Sequence, residues 1–229
     1  MVITVKNKKL GMYKNWILIV LVSIVFFGCS NSQSVWEIGK KDLSPNEFAL
    51  APDGFKHFLE NDFGFEDGYF IPGYSNEQED FPYVLAGPVD TWGGTWPTSG
   101  WRTNDINILF NVNDDKFKGQ YKLIIELADH AKSFLPLVKI QFNNQSQKYQ
   151  LEADGYDLKT QLNPTQQEAY VDSTALMGDL SKATPATLEM ILSADAMRNG
   201  GNQITITILQ GAWIMFDQVR LEGNSLDLI

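Results

Sequence analysis

The chain has 229 residues, 44% apolar and 12% aromatic, with 28 acidic against 18 basic side chains and a net charge of −10. This composition excludes a disordered or fibrous chain and leaves ample length for one packed domain. The acidic balance argues against nucleic acid as a partner, one cysteine excludes a disulfide framework or structural zinc site, and two histidines exclude a His-rich metal centre.

The first segment reads as an address. Met1 to Asn15 carries Lys6, Lys8, Lys9 and Lys14 and no acid, and Trp16 to Phe27 is apolar apart from Ser23. A positive n-region, an apolar h-region and a small residue before the cut are the parts of a secretory signal, and the apolar run is short for a membrane-spanning helix. Phe26-Phe27-Gly28-Cys29 resembles a bacterial lipobox, which implies cleavage after Gly28 and lipidation of Cys29, with several acyl chains giving a stable anchor. Asp is absent just after Cys29, so inner-membrane retention is not signalled, and an outer-membrane lipoprotein facing the periplasm or the cell surface is expected. Cleavage removes four Lys and no acid, taking the net charge from −10 to −14 over 201 residues. The expected organisation is a signal over 1–28, a polar tether over 29–34, one domain over 35–223 and a tail over 224–229.

The mature chain predicts an all-β domain. Apolar residues alternate in Ile106–Val112, Tyr121–Leu127, Val138–Phe142, Leu188–Leu192 and Ile204–Ile208, the pattern of half-buried strands. Trp213, Met215, Val219 and Leu221 are expected on one face of the last strand, with Asp217 between them, and Trp36 and Trp213 are expected in the core. Asn143-Asn144-Gln145-Ser146 reads as a hairpin loop, and Asn199-Gly200-Gly201-Asn202 as a turn before a strand. One helix is expected over Asp172–Ser181, capped by Asp172 or Ser173, with Ala175, Leu176 and Leu180 on its apolar side. Many short strands joined by turns predict a β-sandwich or jelly roll.

Leu50 to Arg102 differs: it is weak in alternation and rich in Gly, Pro, Asp and aromatics. Long irregular stretches on a rigid scaffold tend to carry function. Trp92, Trp96 and Trp101, with Tyr83, are the candidate stacking surfaces for a sugar, and Asp90, Arg102 and Asn104 the candidate polar contacts. Each of these tryptophans could instead pin the loop to the sandwich.

Three stretches carry a resemblance. They are Val35–Asp42 with Asn46–Ala49, Tyr83–Gly94, and Gly201–Ile206 with Gly211–Leu221. Together they resemble the third domain of rhamnogalacturonan lyases, polysaccharide lyase family 4. The resemblance implies a galactose-binding-like jelly roll that binds carbohydrate and is not itself catalytic. Related modules stand at the front of large glycoside hydrolases. In jelly rolls of this type a structural calcium is common, with Glu37, Asp42 and Asp217 as the candidate oxygen ligands; no other cofactor is expected.

Catalytic patterns are absent: there is no G-x-S-x-G, H-E-x-x-H or Gly-rich phosphate loop. Glu66-Asp67, Glu77, Glu79-Asp80 and Asp114-Asp115 read as solvated loops, and His130 as an ordinary loop residue. Three functions remain. The first is a lipid-anchored, non-catalytic carbohydrate-binding module. The second is an accessory domain of a larger hydrolase or lyase, with a catalytic partner elsewhere. The third is a docking domain for protein.

Overall fold

The computed structural model describes residues 32–93, 104–112, 120–154 and 174–224. The leader, Cys29 and the last five residues lie outside them.

Among the described residues the strands are β1 (Ser32–Gly39), β2 (Gly68–Phe70), β3 (Val84–Leu85), β4 (Asp105–Val112), β5 (Tyr121–His130), β6 (Leu137–Phe142), β7 (Gln145–Gln150), β8 (Ala186–Leu192), β9 (Gly200–Gln210) and β10 (Ile214–Asn224). They form two sheets. The first runs β1-β10-β5-β8, with β3 added beside β10; the second runs β2-β4-β9-β6-β7. Setting aside the short β2 and β3, the eight long strands in chain order fall as first-eighth-third-sixth and second-seventh-fourth-fifth. That interleaving is the double Greek key of a jelly roll.

Alternation fills the space between the sheets. Ile106, Ile108, Phe110 and Val112 of β4, Val138, Ile140 and Phe142 of β6, and Ile204, Ile206 and Ile208 of β9 all face inward from the second sheet. Leu123, Ile125 and Leu127 of β5, Leu188, Met190 and Leu192 of β8, and Val219 and Leu221 of β10 meet them from the first. Trp213 is buried in this core, and Trp36 packs at its margin against Phe110, with ring centroids 5.3 Å apart at 62°.

Several details differ from the reading of the sequence. β1 begins at Ser32, inside the expected tether, because Ser32 to Ser34 already pair with Asn224 to Glu222 of β10. The hairpin loop is shorter than expected: Phe142 pairs with Gln145, and only Asn143-Asn144 turn the chain, Asn143 at φ +48°. The expected helix over Asp172–Ser181 is, among the described residues, a single 3-10 turn over Ala175–Met177. Gly178 stops it by entering the left-handed region at φ +88°. In β10 the register shifts on both sides of Phe216, and Asp217 beside these bulges is fully buried.

β5 is buried on both faces, although its alternation suggests one wet face. Its outer side carries Ile124, Glu126, Ala128 and His130, all covered. The 179–185 loop is tied to the end of this strand: Lys132 Nζ donates to the Lys182 carbonyl, and Asp129 Oδ1 accepts from Thr184 N at 2.6 Å. His130 thus ends a strand inside the protein. Glu126 is held on the same side by Lys41 Nζ (2.6 Å), Arg220 Nη1 (3.0 Å) and Thr187 Oγ1 (2.6 Å).

Burial alone would raise the Glu126 pKa. The bonds from Lys41, Thr187 and Arg220 outweigh it and hold the carboxyl below the usual glutamate range. Its stabilising contribution is therefore complete above the unfolded-state value of about 4.3 and is lost as pH falls through the lower folded value. Glu126→Gln will lower stability at pH 7 by about 2 kcal/mol. In urea melts at stepped pH, the gap between variant and parent will narrow below pH of about 4.

Candidate functional site

The outer face of the second sheet is built from the other half of each alternating strand. Register places Tyr69, Asn107, Thr205, Gln141 and Ser146 side by side, one from each of β2, β4, β9, β6 and β7. Adjacent strands lie about 4.8 Å apart, so this row spans roughly 19 Å. The next row toward the β4 N-terminus is Asp105, Thr207, Lys139 and Lys148. The next one toward its C-terminus is Leu109, Gln203 and Asn143, the last bonding Gln203 O through its own N–H at 3.0 Å.

The polar groups on this face brace one another. Asn107 is only 5% exposed, and its Oδ1 accepts from Gln203 Nε2 and Thr205 Oγ1, each at 2.8 Å. Thr207 Oγ1 donates to Asp105 Oδ1 at 2.6 Å, and Lys139 Nζ to Gln141 Oε1 at 2.8 Å. An amide has two donor protons and an accepting oxygen. Gln203 directs its NH2 at Asn107 Oδ1 and Thr205 Oγ1. The result is a rigid array of amides and hydroxyls, the chemistry that matches sugar hydroxyls.

The face leads into a groove of about 840 Å³ at the β4 C-terminal end. Its walls include Trp36 and Glu37 of β1, Phe110 and Asn111 of β4, the Ile71–Tyr74 turn, and Arg198 with Gln203. A smaller hollow of about 130 Å³ adjoins it, lined by Gln141, Asn143, Arg198, Gln203 and Thr205. Asn143, Arg198 and Gln203 line both. The turn is fixed by Tyr74 N and Ser75 N, which both donate to Ile71 O at 2.9 Å, and by Ile71 N, which donates to Ser75 Oγ at 3.0 Å. It presents Tyr74 with 90% of its surface exposed, and Tyr69 is 59% exposed beside it on β2. Two uncovered aromatic rings thus flank the amide rows.

The residues singled out in the sequence lie elsewhere. Asn104 Nδ2 bonds the carbonyls of Phe63 and Gly93, at 2.9 and 2.8 Å, so the Trp92 loop sits at the start of β4. That is about 20 Å from the groove, by the rise of a strand. Trp92 is half-buried and meets Phe55 and Phe58 edge-on, with centroids 5.5 and 5.2 Å away. Tyr83 is fully buried and donates its hydroxyl to Leu176 O at 3.1 Å, so its ring is core and offers no stacking face. Asp90 is nearly buried, and its Oδ2 accepts from Gly87 N at 2.7 Å, closing a turn. Trp96, Trp101 and Arg102 lie outside the described residues.

Of the expected calcium ligands, Asp42 and Asp217 come together and Glu37 does not. Asp217 Oδ1 accepts from Asp42 N at 3.2 Å and Ser44 N at 3.1 Å, so it caps the turn after β1. Burial raises its pKa, opposed by those backbone bonds. Glu37 is exposed on β1, where its Oε2 accepts from Gln218 Nε2 at 3.5 Å. Among the described residues no three acidic or histidine side chains are grouped as metal ligands. Two acids read as solvated loops instead hold the fold: Glu77 Oε1 accepts from Gly39 N at 2.8 Å, and Asp67 Oδ1 from Asp105 N at 3.0 Å.

The fold and face define a jelly-roll β-sandwich of the carbohydrate-module class. Residues 34–221 match the family described as CBM-like, polysaccharide lyase family 4, domain III, and the chain belongs to that family. No curated protein matches it. Among solved structures it is similar to a GH115 4-O-methyl-α-glucuronidase specific for decorated arabinogalactans. That match has 13% identity and TM-score 0.33, and covers 52% of this chain and 13% of that one. It is similar to the cycloalternan-forming enzyme from Listeria monocytogenes, with 14% identity and TM-score 0.34, covering 66% of this chain and 10% of that one. It is also similar to a family 35 carbohydrate-binding module from Cellvibrio japonicus Abf62, with 12% identity and TM-score 0.31, covering 54% of this chain and 67% of that one. The chain thus spans about a tenth of the length of either enzyme.

Two stability predictions separate the Trp92 loop from the groove. Trp92→Ala will cost about 3 kcal/mol by emptying the pocket between Phe55 and Phe58, and Tyr83→Phe about 1 kcal/mol by leaving Leu176 O unpaired. Thermal melts of both variants check this.

Proposed function

We propose that this protein is a lipid-anchored, non-catalytic carbohydrate-binding module of a polysaccharide-degrading system, held at the outer membrane through Cys29. The observation that carries the reading is the outer face of the second sheet. Amides and hydroxyls from four strands lie in register there, flanked by the exposed rings of Tyr69 and Tyr74. Family membership supports the same ligand class. A row of polar groups that crosses several strands suits a stretch of glycan chain laid across them.

The binding residues in this reading are Tyr74, Tyr69, Gln203 and Asn143, and the Trp92 loop stabilises the β4 end. Trp96, Trp101 and Arg102, outside the described residues, remain candidate contacts. The domain acts by holding glycan near the membrane, and catalysis belongs to a separate partner. A second reading, an accessory domain of a larger hydrolase or lyase, draws support from the family itself, which is described as a numbered domain of a lyase.

Calorimetric titration of the purified protein against pectic, mannan and galactan oligosaccharides, with and without calcium, tests the reading. One class will bind, and Tyr74→Ala will weaken it about tenfold, the effect of roughly 1.4 kcal/mol. Trp92→Ala, measured below its lowered melting point, will leave affinity within about twofold. Absence of binding across the panel by folded protein would reject the module. The anchor has its own check: cells given radiolabelled palmitate will label the parent chain, and Cys29→Ser will remove both the label and the membrane-bound fraction.

A further inference from the structure

Strand β1 fixes where the anchor attaches. Only Ser30 and Asn31 separate Cys29, the lipidated residue of the proposed function, from Ser32, the first residue of β1. Three residue steps reach about 11 Å even when fully extended. Ser32 already belongs to the sheet: it pairs with Asn224, and Gln33 and Ser34 pair with Gly223 and Glu222. The tether expected over 29–34 is therefore half strand, and the sandwich cannot stand off from its anchor.

Register shows which end of the sandwich is held. Ser32 lies beside the end of β10, Gly223 of β10 pairs with Tyr121 at the start of β5, and Tyr121 pairs with Leu192 at the end of β8. In the second sheet Val112, the end of β4, pairs with Gly200 at the start of β9, and Phe142, the end of β6, pairs with Ile204 close by. Two contacts join these ends across the sandwich: Trp36 packs on Phe110, and Gln145 Nε2 donates to Ile191 O at 2.8 Å. The start of β1, the Asn143-Asn144 turn and the Arg198–Gly200 turn thus share one rim, and the groove lies beside it. Its walls Val35 and Trp36 follow Ser32 by three and four residues, about 14 Å of strand at most. The 179–185 loop, bonded to Asp129, lies at the opposite end, roughly 30 Å away by the length of β5.

We propose that the domain stands with this rim on the lipid bilayer, so that the groove opens at the membrane surface and the Trp92 end points away from it. The inference rests on the lipid anchor proposed above and adds the orientation that the anchor imposes. The covalent tether supplies the proximity, so the rim needs no affinity of its own for lipid. Asn144, Arg198 and Asn199 are exposed on it, which suits the polar headgroup layer and not the hydrocarbon beneath. A ligand in the groove is then held within about 25 Å of the bilayer, the sum of the tether and the strand rise.

The test uses the lipoprotein extracted from membranes and reconstituted into phosphatidylcholine vesicles, some of whose headgroups carry a nitroxide. Cys29 is the chain's only cysteine and its sulfur bears lipid, so a dye attached after Asn199→Cys or Ser181→Cys has one place to go. Both positions are exposed, the first on the rim and the second in the loop at the far end. The nitroxide will quench the dye at position 199 several times more than at position 181. Inserting about twenty Gly and Ser residues after Asn31, a flexible span of roughly 25 Å, will abolish the difference. Cys29→Ser protein added to the same vesicles will show quenching at neither position. Equal quenching at both positions, stronger quenching at 181, or a difference that survives the insertion or Cys29→Ser would overturn the inference while the anchor stands on its palmitate label. A parent chain that carries no label would overturn the anchor and the orientation together.

Discussion

The unbroken register between β4 and β9 is the constraint on which the rest depends. From Asp105↔Thr207 to Val112↔Gly200 the two strands pair residue for residue with no shift. Because side chains alternate with a period of two, this register decides both faces at once. Ile106, Ile108 and Phe110 meet Ile206, Ile204 and Asn202 on the inner side, while Asn107 meets Thr205 and Leu109 meets Gln203 on the outer. A slip by one residue would bring amides into the core and isoleucines into water. The apolar core thereby aligns the polar face, and the face needs no separate device to hold its rows in line.

Asn202 is the exception within that pattern, and an informative one. It stands on the inward side of β9, where its neighbours are isoleucines, and it is buried. A buried carboxamide is costly unless its bonds are made. Here both ends are used: Oδ1 accepts from Arg198 N and Asn143 Nδ2, and Nδ2 donates to Arg198 O and Gly200 O. A well-satisfied polar group in a core is specific in a way that a methyl group is not. It fixes one geometry for the Arg198 turn and the Asn143 hairpin together. The two loops that border the groove are thus set by one buried side chain.

How much of this was legible in the sequence depends on range. The strands were, because alternation is local: Ile106–Val112, Val138–Phe142 and Ile204–Ile208 bury the residues expected. The breaks in alternation were harder to place. Asp217 reads as a polar residue among apolar ones on one face, and what satisfies it, the N–H groups of Asp42 and Ser44, is distant in sequence. The helix expected after Asp172 shortens to one turn because Gly178 stops it. The aromatic loop misled for a physical reason: a tryptophan among glycines can stack on a ligand or on a neighbour, and Phe55 and Phe58 are near enough to claim Trp92. A signal for the sheet face was present in the same strands. Their polar positions are Asn107, Thr205, Thr207 and Gln141 more than Lys or Glu, and an amide and hydroxyl stripe differs from an ordinary solvated face. Tyr74 and Arg198 carry no such pattern, since their place at the groove depends on pairings distant in sequence.

The sandwich therefore separates rigidity from recognition along its length. At the start of β4, Trp92, Asp90 and Tyr83 spend their rings and polar atoms on the protein itself. At the other end the Tyr74 ring is exposed, and the groove lined by Arg198 opens there. Between the two lies a row of groups that are braced but not saturated. A surface of this kind gains affinity by avoiding the entropy of ordering its own side chains on binding. In the proposed reading Gln203 and Thr205, already held by Asn107, would meet a glycan in the positions they occupy without one. The bracing that makes Asn107 nearly inaccessible is thus what makes its neighbours useful.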